Sequence, residues 1–318
     1  MVPAKDMAGV LDALRKSFDI LPDAEFTSEA NPGTLTAEWL DMATEHGLNR
    51  LSLGVQAAQD PLLKTLGRIH TFEEAQQAVR LAKAHGIQNL NLDAMFGLPN
   101  QTHQDYLNTL QAFVDLDPQH ISAYSLILEE GTPLFKAVQE GHLRLPSEDE
   151  TAQMYDDGID FLQKSGFERY EVSNFARPGY ACRHNLGYWQ GAWYLGLGVA
   201  AHSMLPPSEE QRLQGAVRVR VANDTDVHAY IKGTLAQETQ LILPDEAMFE
   251  SMMLGLRTTC GVNEQQFEQQ HGVPLRSRYG AQLASLVCDG LALWRDGFFA
   301  LTPRGIAIEN EVLMRLMD

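Results

Sequence analysis

The chain has 318 residues, enough for one large domain and a smaller one, and at 44% hydrophobic it can bury a sizeable core. Lysine and arginine number 24 against 42 aspartates and glutamates, a formal net charge of -18 that disfavours a nucleic-acid partner. No apolar run reaches transmembrane length, the start reads as an amphipathic helix rather than a signal peptide, and three scattered cysteines argue against a disulfide framework.

A cytoplasmic protein without stable membrane insertion is expected. From residue 7 to about 128 one rhythm repeats: a helix, a short turn with glycine or proline, then a brief β-rich run. Helices are expected at 7–18, 36–46, 71–85 and 103–115, and strands at 25–30, 50–55, 89–97 and 120–128. Strands that alternate with helices and bury both faces point to parallel β/α units, in an open wound sheet or part of a barrel. His46 and His85, each before a glycine, read as C-terminal helix caps.

A helix at about 148–165 leads into "FERYEVSNFARPGYACRHNLGYWQG", read as a strand followed by a long loop. The expected division is 1–205 as the β/α domain, 206–240 as a connecting segment and 241–318 as a small α+β domain. In that last part Asp296-Gly297 supplies a hairpin turn and Thr302-Pro303 opens the final helix, a winged-helix-like pattern.

In parallel β/α folds the working face lies at the carboxyl ends of the strands. There the first strand offers Glu29 and Asn31, the second ends with Gln56, and the third is read as ending with Asp93. The loop after the second strand adds Arg68 and His70. Taken singly, each is an ordinary polar loop residue. Together they suit a ligand with an amine, hydroxyls and a carboxylate: Glu29 would accept from an ammonium, Arg68 clamp a carboxylate, and Gln56 and Asp93 take hydroxyls. Nucleosides, sugars and amino acids all satisfy that description.

"EANPGT", "RLSLGVQ" with "LGRIH", "NLDAMFGLPNQT", "YEVSNFARPGY" and "RHNLGYW" resemble the radical S-adenosylmethionine (SAM) proteins related to oxygen-independent coproporphyrinogen III oxidase. His184-Asn185-x-x-Tyr188-Trp189 is similar to the motif of the heme chaperone, HemW-type, branch. The resemblance implies a partial (β/α) barrel with a [4Fe-4S] cluster and SAM, the latter contacted by Glu29, Gln56, Arg68 and Asp93. It also implies heme at His184, Asn185, Tyr188 and Trp189, with heme and heme-accepting proteins as partners. Histidine is a usual heme ligand, the two aromatics offer flat faces to a porphyrin, and Asn185 would orient the imidazole. Cys182 is an alternative thiolate ligand and His202 a further candidate.

The family's Cys-x3-Cys-x2-Cys loop and glycine-rich strand end are absent from this sequence. The expectation is therefore an α/β radical SAM barrel lacking its first strands, about two by the size of a β/α unit, with no cluster ligands and no radical initiation by this chain. Two other readings stay open: oxygen-independent coproporphyrinogen III oxidase activity, and a truncated fragment without function.

Overall fold

The computed structural model describes residues 2–317. The chain divides into two compact units, Met1–Cys182 and Arg183–Asp318.

The first unit runs α1 (Ala4–Ser17), β1 (Thr27–Ala30), α2 (Ala37–Glu45), β2 (Arg50–Gln56), α3 (Asp60–Thr65), α4 (Phe72–Ala84), β3 (Asn89–Phe96), α5 (His103–Val114), β4 (His120–Ser125), α6 (Pro133–Gln139), α7 (Glu148–Lys164), β5 (Glu168–Arg169) and β6 (Asn174–Ala176). The sheet order is β1-β2-β3-β4-β6-β5, with the first four strands parallel and the last two pairings antiparallel. This is the β/α half expected, extended by a short hairpin where one strand was read.

Local chemistry sets these boundaries. Capping boxes at Thr71/Glu74, Thr102/Asp105 and Ser147/Glu150 satisfy the first amides of α4, α5 and α7. Gly47 and Gly86 take positive φ just after His46 and His85, the C-caps of α2 and α4. In α4 the buried residues Ala75, Ala78, Val79 and Ala82 recur at helical spacing, and this stripe packs on the sheet. The matching sheet face is Leu51, Leu53 and Val55 of β2 with Leu90, Leu92 and Ala94 of β3, all fully buried.

The second unit comprises α8 (Arg183–Trp189), β7 (His202–Leu205), α9 (Glu209–Leu213), β8 (Arg218–Asn223), α10 (Val227–Ile231), β9 (Gln237–Ile242), α11 (Pro244–Gly255), β10 (Val262–Asn263), α12 (Glu264–His271), α13 (Leu275–Cys288), β11 (Ala292–Arg295), β12 (Phe298–Leu301), α14 (Pro303–Ala307) and α15 (Glu309–Met317). Strands β7, β8 and β9 form an antiparallel sheet, so the stretch 206–240 contributes a central strand rather than a plain connection. The "RHNLGYW" stretch is a helix, not the loop expected. The hairpin β11–β12 turns at Asp296-Gly297, both at positive φ as a tight hairpin turn requires, and β10 pairs with β12, which is thus the central strand of three. With α11, α12, α13 and α15 it encloses a separate core built on Met252, Leu275, Tyr279, Leu286, Phe299 and Val312. Among the described residues no helix is long and apolar enough to cross a membrane.

Candidate functional site

Successive residues of a strand point to opposite faces, and in the first unit this separates core from chemistry. Opposite the leucine face, cross-strand register aligns Glu29 of β1 with Ser52 of β2, Asn91 of β3 and His120 of β4, and Asp93 with Ser122. The inner face of a sheet expected to be apolar on both sides is therefore polar.

Its groups are hydrogen-bonded to one another. Asn91 Nδ2 donates to Ser52 Oγ at 2.8 Å and to Asp93 Oδ1 at 2.7 Å. Asn91 Oδ1 accepts from Ser122 Oγ at 3.1 Å and from His120 Nδ1 at 2.6 Å. His120 thus carries its proton on Nδ1, and Nε2 accepts from the Tyr170 hydroxyl at 2.8 Å. Burial, reinforced by the Arg50 charge, holds the His120 imidazole well below the ordinary histidine range, so the ring is neutral.

Above this network a cavity of about 540 Å³ is lined by Glu29, Asn31, Gln56, Arg68, Asp93 and Tyr124 among others. All four residues expected to contact SAM line this one space. Arg68 Nη1 donates to Asn31 Oδ1 at 2.9 Å, and Tyr124 Oη donates to Gln56 Oε1 at 2.8 Å. Gln56 ends β2 at φ 74, a left-handed conformation that costs a non-glycine residue free energy. Gly54 leaves the room: a Cβ there would stand 3.2 Å from Gln56 Nε2 and 3.7 Å from Asn31 Oδ1.

Asp93 is not at a strand end as expected. β3 continues to Phe96, and Asp93 reaches the cavity from the inner face of that strand. Burial pushes its carboxyl up to about 6, against the hydrogen bonds from Asn91 and Ser122; the Glu29 charge also raises it and the Arg50 charge lowers it. Tyr124 is pushed up to about 12, mainly by burial and then by the Asp93 charge. His70 does not line the cavity: it is buried, its Nε2 lies 3.3 Å from the Val55 carbonyl, and burial lowers its pKa.

Sequence reasoning missed Tyr124 and the Asn91–His120 pair. Their signal was present in the alternation of N-L-N-L-D and H-I-S-A-Y, polar at every second position.

A carboxylate, an amide, a guanidinium and a second carboxylate facing one cavity fit the amine, carboxylate and hydroxyls of SAM. The residues present do not fit a [4Fe-4S] cluster. Cys182 is buried with its thiol 3.4 Å from the Glu25 carboxylate, and Cys260 and Cys288 are exposed in the other unit. Among the described residues no three His, Cys, Asp or Glu side chains are grouped to hold a metal ion.

In the second unit α8 splits its motif between two faces. His184 and Tyr188, one turn apart, are exposed, and their rings meet edge-on with centroids 4.7 Å apart; Tyr188 meets Tyr194 in the same way at 4.7 Å. Asn185 and Trp189 are half-buried, and the Arg257 guanidinium lies over the Trp189 ring at 5.6 Å. The Trp189 indole N–H is buried without a hydrogen-bond partner. His202 is exposed at the start of β7, opposite Ala222.

The family model described as the radical SAM superfamily matches residues 5–113, and the HemN C-terminal domain matches residues 242–308. The heme chaperone HemW of Bacillus subtilis is 35% identical over 94% of this chain and 76% of its own length. That of Synechocystis is 36% identical over 99% of this chain and 80% of its own length. The bovine mitochondrial radical S-adenosyl methionine domain-containing protein 1 is 33% identical over 98% and 72%. Among solved structures, coproporphyrinogen III oxidase (HemN) of Escherichia coli, titled a radical SAM enzyme, superposes with a TM-score of 0.78 at 21% identity, covering 99% of this chain and 74% of that one. At that identity the likeness establishes the fold, with no bearing on oxidase activity.

Proposed function

The chain belongs to the HemW-type heme chaperone family of radical SAM proteins, and from this premise we propose that it binds heme at α8, holds SAM in the polar cavity and passes heme to acceptor proteins in the cytoplasm. The observation that carries the reading is the exposed pair His184 and Tyr188: an imidazole in reach of solvent, backed edge-on by an aromatic ring. A neutral imidazole nitrogen ligates heme iron, and an adjoining aromatic ring shields one side of the tetrapyrrole from water.

SAM, when bound, supplies a sulfonium centre and an adenosyl group. Of the residues lining the cavity, Glu29 would accept from its amine, Arg68 would pair with its carboxylate, and Gln56 and Asp93 would accept from its hydroxyls. Above a pH of about 6 Asp93 is ionised and acts purely as an acceptor. Among the described residues no side chains are grouped to hold the cluster.

Titration with hemin tests the reading. Wild-type protein is expected to shift and sharpen the Soret band, and His184→Ala to weaken that change about tenfold or more in affinity. An unchanged spectrum on mixing would refute heme binding at α8.

A further inference from the structure

Immediately after α8 the chain enters a second cavity of the same unit, about 350 Å³, lined by Gly191, Trp193, Arg218, Met248, Gln270 and His271 among others. Arg218 opens strand β8 and is only 5% exposed. A buried guanidinium is costly unless a carboxylate or several acceptors compensate it. Among the described residues none does so by an ion pair: Glu250, whose charge Arg218 feels, is paired with Arg220 instead. The close partner of Arg218 is the ring of Trp193, 5.4 Å from the guanidinium carbon and half exposed.

The rest of the lining supplies no charge. His271 Nε2 lies 2.9 Å from Ser251 Oγ, whose own proton goes to the Ala247 carbonyl, so the imidazole donates there. Burial and then the Arg218 charge lower its pKa to about 4, and the ring is neutral at physiological pH. Gly191 lies directly against the guanidinium: a Cβ at that position would sit 2.9 Å from Arg218 Nη1. A desolvated fork of N–H donors beside an aromatic plate, with no carboxylate in the cavity lining and the nearby Glu250 engaged by Arg220, is a receptor for a carboxylate on a flat ligand.

We propose that the Arg218–Trp193 cavity binds a carboxylate of a planar aromatic ligand and that, resting on the heme reading of α8, this carboxylate is a propionate of the tetrapyrrole. Continuity supports the assignment: Tyr194, next to Trp193, packs on Tyr188, whose ring in turn meets His184. The imidazole would then hold the metal and the guanidinium one acidic edge, which fixes the orientation of the macrocycle.

The test compares hemin with hemin dimethyl ester, whose propionates are uncharged, by Soret titration of wild type, Arg218→Met, Arg218→Lys and His184→Ala. Wild type is expected to favour hemin about tenfold. Arg218→Met should abolish that preference while leaving ester affinity unchanged, and Arg218→Lys, a point charge without the fork, should retain part of it. His184→Ala should weaken both ligands alike and keep the preference. Equal affinities in wild type, or a preference that survives in Arg218→Met, would overturn the propionate site and leave heme binding intact. Failure of wild type to bind either compound would overturn the heme reading, and the propionate site with it. Far-ultraviolet circular dichroism melts verify that the variants fold; replacing a buried guanidinium that has no ion-pair partner by methionine is not expected to destabilise.

Discussion

Asp93 couples ligand binding to acidity. Its carboxyl is pushed up to about 6 by burial under the cavity, with Glu29 on β1, Arg50 on β2, Tyr124 and the neutral His120 on β4, and Arg68 among the ionisable groups around it. A hydroxyl donor binds the ionised form, so affinity for S-adenosylhomocysteine, measured calorimetrically, should fall as pH drops through about 6. Asp93→Asn should remove this dependence and lower affinity at neutral pH about tenfold. The sign for folding is opposite: a carboxyl raised from 3.8 to about 6 stabilises the folded state fully below 3.8, and that contribution is lost as pH rises to about 6. Asp93→Asn should therefore raise the melting temperature at pH 7 slightly, even as it weakens binding. The placement of Asp93 on the cavity was legible through family likeness; its elevated pKa was not, because it depends on Asn91, Ser122 and burial that only the sheet register creates.

At the scale of elements, α5 and α7 meet where Gly158 packs on Tyr106. A Cβ at Gly158 would stand 2.7 Å from Tyr106 Oη and 2.8 Å from Cε1, and Tyr106 is fully buried. Alanine gains about 1 kcal/mol of helix propensity over glycine, whereas overpacking a core costs roughly 1–3 kcal/mol. The second effect wins: Gly158→Ala should lower the melting temperature, and combining it with Tyr106→Phe should recover part of the loss. Elements with a strong period were readable before the structure. The ends of α4, α5 and α7 follow from their capping boxes, and β2, β3 and β4 from alternation. Helix α8 was missed because R-H-N-L-G-Y-W has no amphipathic stripe and buries no residue fully. The β7–β8–β9 sheet was missed because β9 is almost wholly exposed and polar, and long turns separate it from its partners. Pairing, a tertiary event, decides such strands.

For the whole molecule, the net charge of -18 sets the long-range field. Hemin is anionic through its propionates, so encounter is opposed at a distance even though Arg218 awaits at contact. Salt screens the distant repulsion more than the buried attraction. Stopped-flow association of hemin should therefore accelerate between about 10 mM and about 150 mM salt, where the screening length contracts from about 30 Å to about 8 Å. A rate that falls with salt would mean that a local cationic field governs encounter. The two-unit organisation could be anticipated from the change of rhythm after residue 205, but not the place of the break, because α8 gives no compositional warning.

The alternation of the central strands also bears on how such a scaffold changes over time. Leu51, Leu53, Leu90 and Leu92 hold the helices, while Ser52, Asn91 and Asp93, interleaved with them on the same strands, form the polar network beneath the cavity. Mutations at the second set alter what is held with little disturbance of what does the holding. Such a sheet can drift to new ligands by polar exchange at every other position, and its ancestry would remain written in the apolar positions between.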